Sequence, residues 1–247
     1  MLSRSYETVF ERTLQEVALA ATELDVRLAP FWPIRGAAYD GSLLVIGRSV
    51  NGWVKDWTAR QLRESSVRLS AVEWMRSDAE PLDGCRMRWV TDLWGARDGY
   101  NAHTSAFWRV LRRIILSDTR PGADDALWSS RLAWTNLYRV SPGAGWGPGA
   151  ALQLAQRRSA IELLKLEVEE FAPRRVLALT GGWIGPFTHE LGLALSARPG
   201  LVEGVAERDG CAWVVAKHPM AKPEDRFVSD VLAAFADLGA PFVTINP

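Results

Sequence analysis

Residues 43–46 are four large aliphatic residues in a row, a run that stops at Gly47 and opens into a polar turn, residues 48–53. An apolar run of this length without alternation is typical of a strand buried on both faces, as in a parallel sheet. Parallel strands need helical crossovers, and the ligands of such sheets bind beyond the carboxyl ends of the strands. The turn is therefore either a ligand-binding segment or an ordinary strand-to-helix connection. Its candidate residues are Arg48, Ser49, Asn51 and Trp53.

Strand-like and helix-like segments alternate along the rest of the chain. Apolar runs predict strands at 86–93, 131–138, 175–180, 211–216 and 242–245. Helical spacing predicts helices at 6–28, 55–76, 105–114, 150–171, 184–195 and 223–238. The alternation predicts an α/β fold with three layers, helix–sheet–helix, around a central, mainly parallel sheet of four or five strands. We expect a single domain over residues 1–247, with an N-terminal helical segment over about residues 1–35.

Charge and cysteine content limit the compartment and the partners. Lys plus Arg and Asp plus Glu balance at 29 each, so any site for a polyanion has to come from local clustering. Arginines cluster at 109–113, 157–158 and 174–175, although such runs are most often solvated helix surfaces. Two cysteines, Cys85 and Cys211, exclude a four-cysteine iron–sulfur cluster and argue against a disulfide scaffold. Without an apolar leader or a segment of membrane-spanning length, we expect a cytoplasmic protein with no membrane partner.

Two polar residues stand at the ends of predicted strands. Asn136 lies inside an apolar strand, where a buried amide costs about 1–3 kcal/mol unless it is paired. It therefore either ties down the neighbouring loop or binds the edge of a ligand. His218 follows a strand and precedes a proline, so its imidazole either donates to a developing anion or makes a structural hydrogen bond. Three histidines without paired spacing argue against zinc, and we expect neither a metal nor a cofactor.

Four segments in this order resemble motifs of the uracil-DNA glycosylase superfamily. They are VIGRSVNGW at 45–53, WTNLYRVSPG at 134–143, PRRVLALTG at 173–181 and KHP at 217–219. The family shares a glycine-led motif at a strand end, an Asn-Leu strand, a Pro-x-x-Val-x-x-x-x-Gly strand and a final His-Pro turn. The resemblance implies a monofunctional DNA glycosylase, which hydrolyses the N-glycosidic bond of a flipped-out base and leaves an abasic site.

The resemblance also implies roles for individual residues. Asn51, or alternatively Ser49, would position the attacking water, and His218 would stabilise the departing base. Asn136 would bind that base, stacked on an aromatic platform. The platform candidates are Trp53, Trp94 and Tyr100, drawn from a chain with an unusual 12 tryptophans, several of them in predicted loops.

Further residues would contact the DNA. Met220 directly follows the His-Pro turn and would enter the gap that the flipped base leaves. The loop of residues 141–149 has enough glycine and proline to exclude helix and strand. Its backbone, at Ser141 and Gly143 in particular, would approach phosphates with help from Arg139 and Lys222. DNA is therefore the expected partner of a chain that we expect to be monomeric.

The first motif departs from the family because Arg48 and Ser49 stand where the family has its acting residue, and Asn51 comes two residues later. An asparagine orients water but is not a strong base, as in the single-strand-selective branch of the family. The substrate is therefore either uracil or a modified pyrimidine, such as a decorated cytosine of phage DNA, and the role is either repair or defence against phage. An alternative is a module of the same fold that binds DNA or a base without hydrolysis. A third class, an unrelated α/β hydrolase or nucleotide-binding protein, predicts a Gly-x-Ser-x-Gly or phosphate-loop motif, and the sequence has neither.

Overall fold

A computed structural model describes residues 2–50, 55–77, 85–118, 125–143, 145 and 147–242. Helices over these residues are α1 (Arg4–Ala20), α2 (Ala59–Leu62), α3 (Ser65–Ser77), α4 (Arg88–Asp92), α5 (Ala106–Leu116), α6 (Ala150–Phe171), α7 (Gly185–Thr188) and α8 (Glu224–Asp237). Strands are β1 (Arg27–Pro30), β2 (Ile34–Arg35), β3 (Leu44–Gly47), β4 (Trp57–Thr58), β5 (Ala133–Asn136), β6 (Val140–Pro142), β7 (Arg175–Ala178), β8 (Ser196–Ala197), β9 (Val202–Arg208) and β10 (Cys211–Ala216).

The long elements confirm the predictions from periodicity. The four predicted central strands are β3, β5, β7 and β10, and the predicted helices at 105–114, 150–171 and 223–238 are α5, α6 and α8. The strand predicted at 86–93 is wrong, because the short helix α4 lies there. The predicted strand at 242–245 lies almost wholly outside the described residues.

Three predicted helices are shorter than expected. The first ends at Ala20 instead of 28, because residues 27–30 pair as β1 with two other strands, and the predicted helical segment over 1–35 therefore includes strands. The helix predicted at 55–76 begins at Ala59, where Thr58 and Gln61 form a reciprocal capping box, and it is broken before Ser65. The helix predicted at 184–195 is reduced to the four residues of α7.

The chain divides into two compact units, each discontinuous in sequence. The first unit comprises Met1–Pro33, Gly47–Leu82 and Thr135–Ala172, and the second comprises Ile34–Ile46, Asp83–Trp134 and Pro173–Pro247. The single domain over residues 1–247 stays a prediction.

The second unit contains most of a seven-stranded mixed sheet, with the order β2-β5-β3-β7-β10-β9-β8. Strand β7 runs parallel to both β3 and β10, whereas β2 and β9 pair antiparallel with β5 and β10. The α/β prediction is therefore confirmed, but the sheet is mixed instead of mainly parallel and is wider than the predicted four or five strands. The carboxyl ends of β7 and β10 lie at the same edge of the sheet, and helix α8 packs on β9 and β10.

Tryptophans in the second unit form an aromatic cluster. Its rings contact one another edge-on or tilted, with Trp108 and Trp134 centroids 5.0 Å apart and Trp94 and Trp128 centroids 5.8 Å apart. Trp108, Trp128 and Trp134 are buried. Several of the 12 tryptophans therefore serve to pack the core in a segment that has few strands.

The first unit packs α1 against α6 over an apolar core that includes Tyr6, Phe10 and Trp32. Within it lies an ion pair with no exposed surface, in which the guanidinium of Arg139 donates to both carboxylate oxygens of Glu167 at 2.7–2.8 Å. The hydroxyl of Tyr6 donates to the same carboxylate at 2.7 Å. Because charges taken out of water must be compensated where they lie, these three side chains fix α1, α6 and the residues before β6 against one another.

We predict that Glu167→Gln lowers the free energy of unfolding by about 3–5 kcal/mol, because it leaves the Arg139 charge buried without a counter-charge. A double variant, Arg139→Met with Glu167→Leu, removes both charges and should lose less. Urea denaturation measures both, with Asp25→Asn in the exposed Arg60–Asp25 pair as a control that should change little. A double variant less stable than Glu167→Gln would contradict the prediction.

The two cysteines should differ in reactivity. Cys211 in β10 is buried, and burial raises the pKa of its thiol to about 12, whereas Cys85 is half-buried. The thiolate is the reactive form. At pH 8 a maleimide should therefore modify Cys85 and spare Cys211 in the folded protein, and modify both in guanidinium. Peptide mass spectrometry measures the sites, and equal labelling of the folded protein would count against the placement of Cys211.

Candidate functional site

Asn136 is the last residue of β5 and has 1% of its surface exposed. The next two backbone amides, of Leu137 and Tyr138, donate to the carbonyls of Gly47 and Arg48 at 2.9 and 3.0 Å. These bonds place the carboxyl end of β5 beside the turn that follows β3. The sequence-predicted residues Asn136 and Ser49 therefore belong to neighbouring segments of the first unit, with Ser49 half-buried.

The side-chain amide nitrogen of Asn136 is buried and has no hydrogen-bond partner within the described part of the chain. The same holds for the hydroxyl of Ser141. What distinguishes Asn136 is its position at a strand end beside a polar turn, where a ligand of a parallel sheet binds. A buried donor that the protein leaves unpaired is destabilising by about 1–3 kcal/mol, and a ligand acceptor would remove that cost.

The loop after Asn136 is held by Gln156, a buried residue of α6 that sequence reasoning missed. Its side-chain oxygen accepts from the amides of Arg139 and Val140 at 3.0 Å each, and its nitrogen donates to the carbonyl of Val140 at 2.9 Å. Gln156 thus performs the loop-tying role that was one of the two predicted alternatives for Asn136. Nothing in the local sequence marks Gln156, because polar residues are ordinary on a helix.

Burial controls the electrostatics behind this loop. It raises the pKa of the Glu167 carboxyl, an effect that the neighbouring Arg139 charge and the Tyr6 hydroxyl oppose. Burial likewise raises the pKa of Tyr6 well above its usual value, so its hydroxyl stays protonated and remains a donor. The network is therefore a fixed support and not a reservoir of protons for chemistry near Asn136.

Three predicted phosphate contacts are corrected by the structure. Arg139 cannot reach a phosphate, because its guanidinium is fully buried in the pair with Glu167. Ser141 is buried opposite Ala29 in the strand pairing of β6. The amide of Gly143 donates to the carbonyl of Arg27 at 2.8 Å, and a Cβ at this position would lie 2.8 Å from a carboxylate oxygen of Asp56. A side chain at this position would therefore displace the Asp56 carboxylate.

In the second unit, His218 lies two residues beyond the end of β10 in a tight turn. The backbone amide of Met220 donates to His218 Nδ1 at 3.3 Å, and the amide of Lys222 donates to the carbonyl of Pro219 at 3.1 Å. Because Nδ1 accepts, the neutral ring carries its proton on Nε2. The turn also leaves the Met220 side chain 57% exposed and Lys222 exposed, as a DNA contact requires.

The aromatic candidates differ in their surroundings. Trp94 is half-buried against Trp128, and the guanidinium of Arg112 lies 5.5 Å from its ring centroid. Tyr100 is 51% exposed and contacts Trp89. Trp53 and Asn51 lie outside the described residues, so the convergence of Asn51, Asn136 and His218 on one pocket stays a prediction.

One strand end was not proposed as a site from the sequence. Residues Gly181–Ile184 form a short 3-10 turn after β7 that contacts β10, the strand leading to His218. Gly181 has φ +57, a left-handed conformation that favours glycine, and Trp183 in the same turn is half-buried. The pair of glycines after an apolar strand, followed by tryptophan, was the available signal.

Most of the arginine runs are engaged within the protein. Arg109 and Arg113 on α5 pair with Glu224 and Asp225 at the start of α8. Arg174 pairs with Asp40, and Arg175 donates to the carbonyls of Ala240 and Pro241. These side chains are therefore structural, and Arg175 is buried in β7 instead of lying on a solvated helix surface.

Comparison with models of known protein families finds no match, and neither does comparison with curated proteins. Across the described ranges, no helix has the length and hydropathy of a membrane span. The same ranges contain no cluster of three or more His, Cys, Asp or Glu side chains suited to a metal ion. The fold and site define a mixed α/β protein with a buried amide donor at a strand end.

We predict that Asn136→Leu leaves the melting temperature unchanged or raises it, because the variant fills the same volume and removes an unpaired buried amide. Gln156→Leu is the matched comparison, since it leaves two backbone amides and a carbonyl without partners and should lower the melting temperature. Differential scanning fluorimetry of both variants measures this contrast. A large loss of stability in Asn136→Leu would show that the amide supports the fold instead of awaiting a ligand.

Proposed function

We propose that this protein is a monofunctional DNA glycosylase that hydrolyses the N-glycosidic bond of a flipped-out pyrimidine, either uracil or a modified cytosine. The observation that supports this most directly is the unpaired, buried amide of Asn136 on a loop whose backbone is already fixed. An amide carries one donor group and one acceptor. It therefore matches the O4 and N3–H edge of uracil in one orientation, and the N3 and N4–H edge of cytosine in the other.

The hydrogen bond that His218 Nδ1 accepts from the Met220 amide supports a role for this residue in the reaction. With its proton on Nε2, a neutral imidazole donates to the base oxygen on which negative charge develops. The C1′–N1 electron pair leaves with the base, which is later protonated by solvent, and the oxygen of water bonds to C1′ as its extra proton passes to solvent. Asn51 or Ser49 would orient that water. This assignment requires Asn136 and His218 to act on the same base.

The exposed surface around His218 suits base flipping. Met220 presents a flexible apolar side chain directly after the His-Pro turn, where it would fill the gap in the stack, and Lys222 would contact a phosphate. We also infer that helices cover both faces of the sheet in three layers, as in the family that the motifs resemble, and that the protein acts as a cytoplasmic monomer without cofactor. The role is either repair or defence against phage.

Excision should be tested on duplex and single-stranded oligonucleotides that carry uracil or hydroxymethylated or glucosylated cytosine, followed by alkali to cleave at abasic sites. We expect strand breaks with at least one of these bases, and losses of about 100-fold or more in His218→Ala and Asn136→Leu under single-turnover conditions. Leu154→Ala, at an exposed position on α6, is the control and should retain full activity. No cleavage of any substrate by folded protein would refute the proposal.

If Asn136 and His218 act on one base, their effects should not be independent. The double variant His218→Ala with Asn136→Leu should lose clearly less than the product of the two single losses, because the residual reaction no longer uses either group. Full multiplicative loss would indicate separate roles. The readout is the single-turnover rate of abasic-site formation for all four proteins.

A second candidate function is recognition of a base or abasic site without hydrolysis. The turn at residues 48–53 has no carboxylate, and the next one in sequence, Asp56, accepts from Arg27 Nε at 2.8 Å. That hydrogen bond lowers the pKa of Asp56, so it is a poor base. Oligonucleotide affinity that depends on Asn136, with no base released after prolonged incubation, would favour this function.

A further inference from the structure

A loop in the second unit, residues 94–103, is held rigid by one side chain. Asn101 Oδ1 accepts from the amides of Gly95 and His103 at 3.0 and 2.9 Å, and its Nδ2 donates to the carbonyl of Ala96 at 3.0 Å. The amide of Ala102 donates to the carbonyl of Leu93 at 3.0 Å, which closes the base of the loop. We call this segment the Asn101 loop. Because these hydrogen bonds already order the loop, binding of a ligand would cost little further conformational entropy.

The Asn101 loop holds an aromatic ring out in solvent. Tyr100 is 51% exposed although it contacts Trp89 at 5.9 Å between ring centroids. His103, exposed at the far end of the loop, lies 5.2 Å from the Trp94 ring. Asn101 bonds to residues at both ends of the loop that carries these rings. A tyrosine ring held by the loop on one side and half exposed on the other offers an aromatic face for stacking.

Cations around the loop are arginines. Residues 85–118 contain six arginines and three aspartates, with no lysine or glutamate. Arg112 lies over the Trp94 ring at 5.5 Å, and Arg97 is exposed on the loop itself. Neither has an ion-pair carboxylate in the described ranges, and Asp98 is the acidic residue within the loop. Aromatic rings combined with guanidinium groups complement the bases and phosphates of a single strand.

We propose that the Asn101 loop is a stacking site for an unpaired nucleobase of single-stranded DNA, so that Tyr100 and Trp94 hold a flanking base instead of serving as the platform for the excised one. The assignment to DNA rests on the proposed glycosylase function, whereas the stacking chemistry rests on Tyr100, Trp94 and the two arginines. Stacking is tolerant of sequence because every base has an aromatic face. The site would therefore hold a strand that flanks the target and favour unpaired over duplex substrates.

The test measures affinity and not excision. Binding of a fluorescent 12-residue oligothymidine, which carries neither uracil nor modified cytosine, is followed by polarisation with the full chain. Tyr100→Ala should weaken this binding about tenfold or more, and Tyr100→Leu, which keeps the apolar volume and secures the fold, should weaken it similarly. Tyr100→Phe should bind like the unaltered protein. Leu154→Ala, at an exposed position far along the chain, is the control and should change nothing.

A comparison with duplex DNA distinguishes the stacking site from the proposed glycosylase function. Binding of a 12-base-pair duplex should change less than twofold in Tyr100→Ala, because its bases are already stacked. Equal losses for single strand and duplex, or unchanged single-strand binding in Tyr100→Ala and Tyr100→Leu, would overturn the stacking site. Failure of excision with the Tyr100 dependence intact would refute the glycosylase and leave the stacking site standing.

Discussion

The ion pair between Arg139 and Glu167 is the constraint on which the rest of the first unit depends. Both groups are removed from water, so the pair is tolerable only if its geometry is nearly complete, and Tyr6 supplies a further donor to the carboxylate. Its three members come from α1, α6 and the segment between β5 and β6. Packing of apolar side chains would allow these elements to slide, whereas directional bonds to one carboxylate specify a single arrangement.

This arrangement explains why the residues after Asn136 are so well ordered. Four successive amides, at residues 137–140, donate to Gly47, Arg48 and the side chain of Gln156, and the carbonyl of Arg139 accepts from Phe31. These backbone amides are therefore all hydrogen-bonded, whereas the side-chain amide nitrogen of Asn136 is not. Like the Ser141 hydroxyl and Arg139 Nη1, this nitrogen has no partner within the described part of the chain. A ligand acceptor at Asn136 would remove the cost of that unpaired donor.

Sequence patterns predicted the elements that local periodicity specifies and missed the strands and contacts that form between distant segments. Helix α6 and strand β10 have the predicted bounds because their apolar periodicity is self-contained. The two-residue strands β2 and β4 exist only through pairing with distant segments, and no local pattern marks them. Asn136 was visible as a polar residue in an apolar run, but the partner of Arg139 lies 28 residues away on a helix that offers several glutamates. Arg139 was therefore predicted to face DNA when it is buried.

The balance of charge also bears on the proposed binding of DNA. With no net charge and with Arg109, Arg113 and Arg174 paired to carboxylates, long-range attraction to DNA is weak. Affinity must then come from short-range contacts: stacking on exposed rings, insertion of an apolar side chain, and hydrogen bonds to a base edge. Each of these contacts needs an unstacked base. If the protein binds DNA as proposed, its lack of net charge therefore favours DNA that is already unpaired or easily opened over intact duplex, since the duplex offers mainly phosphates.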